Sequence, residues 1–375
     1  MSSIKAVPSL ETGDFQPDYV VSPGTVLRAE LDARGLTQAD LATRTGLSPK
    51  HVNQVVKDVA PLSADVALLL ERTLGVPSRV WNTLESRQRE VTTKKKSQLE
   101  LASHADWLSR FPTKELVSRG VLSALGGAGA RVDQLLTFFG VADPTAWERI
   151  YAEPVAAFRR AQHLSPDSAA TAVWLRLAEQ QVVPAGEGQA LASYSARAFR
   201  QLLPKLRALT TEESTEQAFQ RLQQLCASVG VRVVYVPQLK GTGINGATRW
   251  LGDHPLIALS DRYKWADTFW FSFFHEVGHV LSHPRRCTYV ALPDKGDDQD
   301  GLEAEADQFA ADQLIPPSAR EALARLKQRT DVIRFAEQIG VDPGIVAGRL
   351  GTDTRDWKFA NGLKLRRQVD LSQDV

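Results

Sequence analysis

His275-Glu276-Val277-Gly278-His279 gathers two imidazoles and a carboxylate into five consecutive residues. On an α-helix the two histidines stand about 40° apart around the axis and about one turn apart along it, so both rings reach a single ion. Glu276 projects from the adjoining face, where it is placed to take a proton from water rather than to ligate. A divalent cation lowers the pKa of water towards ~7 and polarises a carbonyl, so this set of groups suits metal-assisted hydrolysis. The bland alternative, polar residues on an ordinary helix, fits the neighbours poorly. Phe269, Trp270, Phe271, Phe273 and Phe274 make the segment apolar almost all round, which implies burial. Buried imidazoles and carboxylates need a partner such as a metal.

A catalytic site of this type takes a third protein ligand. His283 lies about 12 Å from His275 along a continued helix, too far for one ion to span easily. The other candidates are Glu303 and Glu305, on a second helix folded back antiparallel to the first. They point about 160° apart, so only one can ligate, and helical spacing alone does not choose between them. Two imidazoles and a carboxylate favour Zn2+ and also admit Mn2+.

The stretch from Phe273 to His279, taken with Glu305-Ala306-Asp307-Gln308-Phe309-Ala310-Ala311-Asp312-Gln313-Leu314-Ile315-Pro316, resembles the ImmA/IrrE family of metallopeptidases. The second signature of that family reads Glu-Ala-Asn-x-Phe-Ala and closes on Leu-Ile/Met-Pro. The likeness extends to Asn245-Gly246-Ala247-Thr248-Arg249-Trp250 and to the closing segments around Gly344 to Leu350 and Asn361 to Lys364. It implies a gluzincin-like peptidase domain in which His275, His279 and Glu305 hold the metal and Glu276 is the catalytic base. It also implies a protein substrate bound as an extended strand, along residues 248–251 or 256–259. Asp307 stands where the family usually has Asn. Tyr263 or Arg262 are candidates to assist at the oxyanion, although a tyrosine at the head of a buried helix is more often a packing residue, as are Trp265 and Trp270.

The elements that must position these groups follow from periodicity. An apolar helix is expected over residues 263–281 and another over 302–315, stopped by Pro316-Pro317, with an acidic loop between them. Before them the period changes at Val229-Gly230. The β-branched run Val231 to Val236 and the apolar run Leu256 to Leu259 read as two or three strands around the turn-rich stretch 241–246. Residues 99–209 read as helices broken at Gly126-Gly127-Ala128-Gly129, Asp143-Pro144 and Pro184-Ala185-Gly186, with nothing that looks chemical.

Near the N-terminus, short amphipathic helices form a compact unit. Thr37 caps a helix with Asp40 in the reciprocal capping-box position, Gly46 ends it, and Ser48-Pro49 starts the next. That helix turns Lys50, His51, Asn53, Gln54 and Lys57 outward and Val52, Val55 and Val56 inward. With Thr37, Gln38 and Ser48, these are the candidate contacts to double-stranded DNA. The segment resembles the Xre/Cro-like helix-turn-helix, and the HigA-type antitoxin variant through Pro23-Gly24 and Gly75-Val76-Pro77-Ser78 followed by Trp81. A helical bundle used for protein contacts is the alternative. The resemblance implies a homodimer on a palindromic operator.

The fold class expected is mainly α with a small β-sheet (α+β). Its parts are a flexible tail (1–21), a helix-turn-helix bundle (22–90), a helical linker domain (91–209), a peptidase domain (210–330) and a helical extension (331–375), with Lys94-Lys95-Lys96 as a boundary. Charged residues at 24% and a net charge of +1 describe an ordinary globular chain whose overall field does not attract nucleic acid. Cys226 and Cys287 form no metal-binding pair, and no apolar run approaches the roughly 20 residues of a membrane span. A cytoplasmic location is expected. The function implied is a transcription regulator with a metallopeptidase that cleaves a partner protein, such as a repressor or antitoxin. The rival reading is a non-catalytic HigA-like antitoxin or repressor whose peptidase fold only senses or binds.

Overall fold

The computed structural model describes residues 21–152, 168–182, 191–262, 264–285, 289–291, 301–363, 365–368 and 371. It divides into two compact units, Met1–Ser103 and His104–Val375.

The first unit is all helical: α1 (Pro23–Arg34), α2 (Gln38–Thr45), α3 (Pro49–Val56), α4 (Ala64–Leu74) and α5 (Ser78–Leu101). Local signals set its boundaries. Ser22, Thr37, Ser48 and Ser63 each accept a backbone N–H at a helix start, and Gly35, Gly46 and Gly75 end α1, α2 and α4 in the left-handed conformation. The reciprocal capping box of Thr37 and Asp40 is formed. Gly24 is needed for a packing reason: a Cβ there would lie 2.6 Å from the carbonyl oxygens of Val55 and Val56. The core gathers Leu27, Leu41, Val52, Val55, Leu70 and Trp81.

The lysine run taken as a boundary lies inside α5. No glycine or proline interrupts that stretch, and Glu90–Lys94 and Lys96–Glu100 pair at helical spacing across it (2.7 and 3.9 Å). The division between units falls after Ser103.

In the second unit the longer leading helices are α6 (Ala128–Phe139), α7 (Ser168–Gln180), α8 (Ala196–Ala208) and α9 (Thr215–Ala227). Trp107, Phe111 and Phe139 pack around the buried Trp147, so this helical part has an aromatic core. It joins the same compact unit as the sheet: Trp174 of α7 donates to the Val236 carbonyl (3.1 Å) and Gln181 to that of Tyr235 (3.0 Å).

The sheet comprises β1 (Arg232–Tyr235), β2 (Gly246–Leu251), β3 (His254–Leu259) and β4 (Tyr289–Ala291) in the order β1-β3-β2-β4. β1 runs parallel to β3; the other pairs are antiparallel. The fold is α+β as expected, with one strand more than the apolar runs suggested. β2 emerges where the turn-rich stretch ends, and its polar Thr248 and Arg249 broke the apolar run that periodicity looks for. Residues 256–259 belong to the central strand, hydrogen-bonded on both edges, so the expectation that they pair with a substrate is corrected.

The sheet packs against α10 (Ala266–Ser282), which is followed by α11 (Leu302–Leu314), α12 (Arg329–Ile339), α13 (Pro343–Thr354) and α14 (Trp357–Gly362). The segment after residue 330 shares one core with α10, through Val332, Phe335, Ile345 and Val346 beside Phe273, Phe274 and Val277. It also pins the start of α10. Ala266 N–H donates to the Arg367 carbonyl (2.9 Å), and Arg366 pairs with the buried Asp267 (2.9 Å). No helix among the described residues is long and apolar enough to cross a membrane.

Candidate metal centre and nucleic-acid face

α10 and α11 pack closely because small residues meet between them. Gly278 has Ala306 directly opposite: a Cβ on Gly278 would sit 3.1 Å from the Ala306 Cα. On α11, Ala306 and Ala310 are buried at the spacing that puts Glu303 on the same face. That face turns Glu303 towards the histidines. The Nε2 atoms of His275 and His279 lie 3.0 Å apart, and the Glu303 carboxylate comes within 3.2 Å of the first and 3.3 Å of the second.

Glu305, the third ligand implied by resemblance, is not in this cluster. Its side chain is 67% exposed, and its carboxylate meets His283 Nε2 at 3.3 Å. Two residues along a helix rotate a side chain by about 200°, so once Ala306 and Ala310 face α10, Glu303 faces the histidines and Glu305 turns aside.

The donor set fits a divalent cation. With metal–ligand distances near 2.0–2.1 Å, ligand atoms around a tetrahedral ion are separated by about 3.3 Å, close to the separations found here. Glu303 Oε1 is buried without a hydrogen bond, the condition of an acceptor that lacks its partner. His275 Nδ1 is 2.9 Å from Asp307. A proton on that nitrogen donates to the carboxylate, so that Nε2, once it gives up its own proton, turns a lone pair towards the cluster.

Glu276 is fully buried. One carboxylate oxygen accepts from Thr248 Oγ1 of β2 (2.7 Å), while Oε1 has no hydrogen-bond partner. Gly246 opens the space beside Oε1, since a Cβ there would lie 2.8 Å from it. Burial pushes the Glu276 carboxyl up to about 8, against the opposing charge of His275 and the Thr248 bond. Burial works against a charged His275, but its bonds to Asp307 and Glu303 and the nearby carboxylates raise it to about 10. His279, lowered chiefly by burial, falls to about 4. One proton thus belongs to His275 when no cation is bound.

Arg262 is committed to the Gly243 carbonyl, and Tyr263 lies outside the described residues. Trp270 is core, while Trp265 carries the Arg366 guanidinium on its ring (4.8 Å). Among residues 248–251, Thr248 pairs with both β3 and β4, whereas 249–251 pair with β3 alone among the described residues.

In the first unit, Gln38, Lys50, Asn53 and Lys57 are exposed, and His51 and Gln54 are half-buried. Thr37 and Ser48 are exposed, and their hydroxyls serve first as helix caps. Sequence reasoning missed Asp58, whose carboxylate accepts from the Gly24 N–H (2.8 Å) and tethers the start of α1 to the end of α3.

Two family profiles match the chain: helix-turn-helix over residues 27–81, and the IrrE N-terminal-like domain of the M78 peptidases over residues 226–351. The chain therefore joins a helix-turn-helix domain to an IrrE-like peptidase domain. The IrrE-like match spans the sheet, α10, α11, α12 and most of α13, and so takes in the whole candidate metal centre. Virulence-associated protein I of Dichelobacter nodosus is 33% identical over 67 residues, which is 18% of this chain; the chain spans 62% of the length of that relative. A solved chain titled "Crystal structure of a hypothetical protein from E. Coli" matches 22% of this chain and 88% of its own length, at 22% identity with a TM-score of 0.20.

Proposed function

We propose that the chain is a DNA-binding regulator whose IrrE-like domain is a metal-dependent endopeptidase with a narrow substrate range, cleaving a partner protein such as a repressor or antitoxin. The observation that carries the reading is the meeting of His275, His279 and Glu303 within 3.3 Å, with Glu276 beside the two histidines on α10. These three residues would hold Zn2+, with Mn2+ as the alternative occupant. When bound, such an ion supplies Lewis acidity to water and to the scissile carbonyl.

The chain itself supplies the proton transfers. Glu276 takes a proton from the attacking water and returns it to the leaving amine nitrogen. Its carboxyl, raised towards neutrality by burial, suits both directions of transfer. Thr248 holds one oxygen so that the other keeps its aim. Residues 249–251 of β2 are the proposed backbone edge for an extended substrate, a mode that needs little side-chain recognition.

In the helix-turn-helix domain, Lys50 and Lys57 are proposed to meet phosphates, Gln38, His51, Asn53 and Gln54 to reach base edges, and Thr37 and Ser48 to lie where α2 and α3 begin against the backbone. Binding to a palindromic operator as a homodimer in the cytoplasm completes the reading.

Elemental analysis of the purified protein, followed by incubation with the products of neighbouring genes, tests metal and substrate together. Glu276→Gln is expected to keep the metal and lose cleavage. Unchanged regulation in that variant would favour the sensing module and end the peptidase reading.

A further inference from the structure

Proton transfer by Glu276 makes no use of His283. This residue is buried at the end of α10, its side chain 1% exposed, and it lies beside the ligand His279. Its two ring nitrogens face different partners: Nδ1 is 2.7 Å from His279 Nδ1, and Nε2 is 3.3 Å from the Glu305 carboxylate. An ionised carboxylate only accepts hydrogen bonds, so His283 Nε2 must carry the proton directed at Glu305. In a neutral ring that leaves His283 Nδ1 as an acceptor, which in turn requires the proton of His279 to sit on its own Nδ1. His279 Nε2, the atom that faces His275 and Glu303, is then left with its lone pair.

We propose that Glu305 and His283 form a relay that fixes the tautomer of His279 and presents its Nε2 to the metal, which makes both of them positioning residues and neither of them a ligand. Asp307 performs the same task for His275 in a single step. The two ligand histidines are thus oriented one by a carboxylate directly and the other through an intervening imidazole. Partners of this kind ordinarily change metal affinity by about 10–100-fold when removed. Glu305, mostly exposed, should sit at or below the low end of that range, and His283 inside it.

The inference rests on the metal centre proposed above, and its test separates the two. Zn2+ affinity of the full-length protein is measured by chelator competition for the unaltered chain and for His283→Phe, His283→Gln, Glu305→Gln and Glu303→Gln. The relay predicts about 10–100-fold weaker binding for His283→Phe, recovery in His283→Gln because the amide oxygen can replace the acceptor, and a loss of no more than about tenfold for Glu305→Gln. Glu303→Gln should lose more than any of them. Histidine-selective 15N NMR of the unaltered protein adds a readout that is independent of variant folding: His279 should be protonated at Nδ1. Wild-type affinity in His283→Phe, a loss in Glu305→Gln equal to that in Glu303→Gln, or a proton on Nε2 of metal-free His279 would each overturn the relay while leaving the metal centre standing. If the unaltered protein takes up no Zn2+, both readings fall.

Discussion

Gly278→Ala tests whether the closeness of α10 and α11 sets the metal geometry. The added methyl would lie 3.1 Å from the Ala306 Cα and 3.4 Å from both the Ala306 and Phe309 Cβ atoms. Alanine in a helix interior is favoured over glycine by about 1 kcal/mol. Overpacking a close contact costs about 1–3 kcal/mol. The expected net effect on folding is therefore a loss of about 0–2 kcal/mol. Its effect on the site should be clearer, because Glu303 lies one turn before Ala306. A shift of α11 by a few tenths of an ångström exceeds the roughly 0.2 Å tolerance of a metal–ligand distance. Zn2+ binding should weaken about tenfold, equivalent to ~1.4 kcal/mol. Urea denaturation of the metal-free protein and chelator competition read the two quantities separately. A variant stabilised by about 1 kcal/mol, as helix propensity alone would give, with Zn2+ affinity unchanged would refute the argument.

Gly246→Ala places a methyl 2.8 Å from Glu276 Oε1 and should lower cleavage of the partner protein about 100-fold, while Zn2+ stoichiometry by elemental analysis stays at the wild-type level. Because His275 is raised to about 10 in the metal-free site, an incoming cation must expel its proton, and Zn2+ affinity should rise with pH by about tenfold per unit between roughly pH 6 and 8. Calorimetry in buffers of different ionisation enthalpy would show the released proton, and a flat profile would contradict this. Lys50→Ala should weaken DNA binding by a similar factor on all sequences and reduce the salt slope by about 1; an effect confined to one operator would show that Lys50 reads bases instead.

The helix-turn-helix part was legible nearly residue by residue, because its determinants are local. Thr37 and Ser48 cap the helices that immediately follow them, Gly46 ends α2, and the valines of α3 alternate with polar residues at helical spacing. His275, Glu276 and His279 were legible for the same reason, being fixed relative to one another by a single helix. Which carboxylate meets the two histidines depends instead on how α11 is rotated against α10, a tertiary property. A signal for it was present: Glu303, Ala306 and Ala310 share one face, and two small residues on one face mark the side that approaches another backbone. The resemblance implied Glu305, two residues further along the same helix, whose carboxylate meets His283 in the structure. The lysine run misled because charge was read as a break, whereas a helix ends at residues that cannot continue it, and none occurs there.

The contact between Arg366 and Asp267, ninety-nine positions apart, also has a temporal meaning. The helix-turn-helix unit ends at Ser103 and has its own core, so it can form while the residues after it are still being added. At ~5–20 residues per second, the arginines that anchor the start of the histidine-bearing helix leave the ribosome roughly 10–50 s later. Translation therefore completes the helix-turn-helix core well before the contacts that fix the start of α10, so the two histidines of that helix can be held in place only after the first unit has had time to fold.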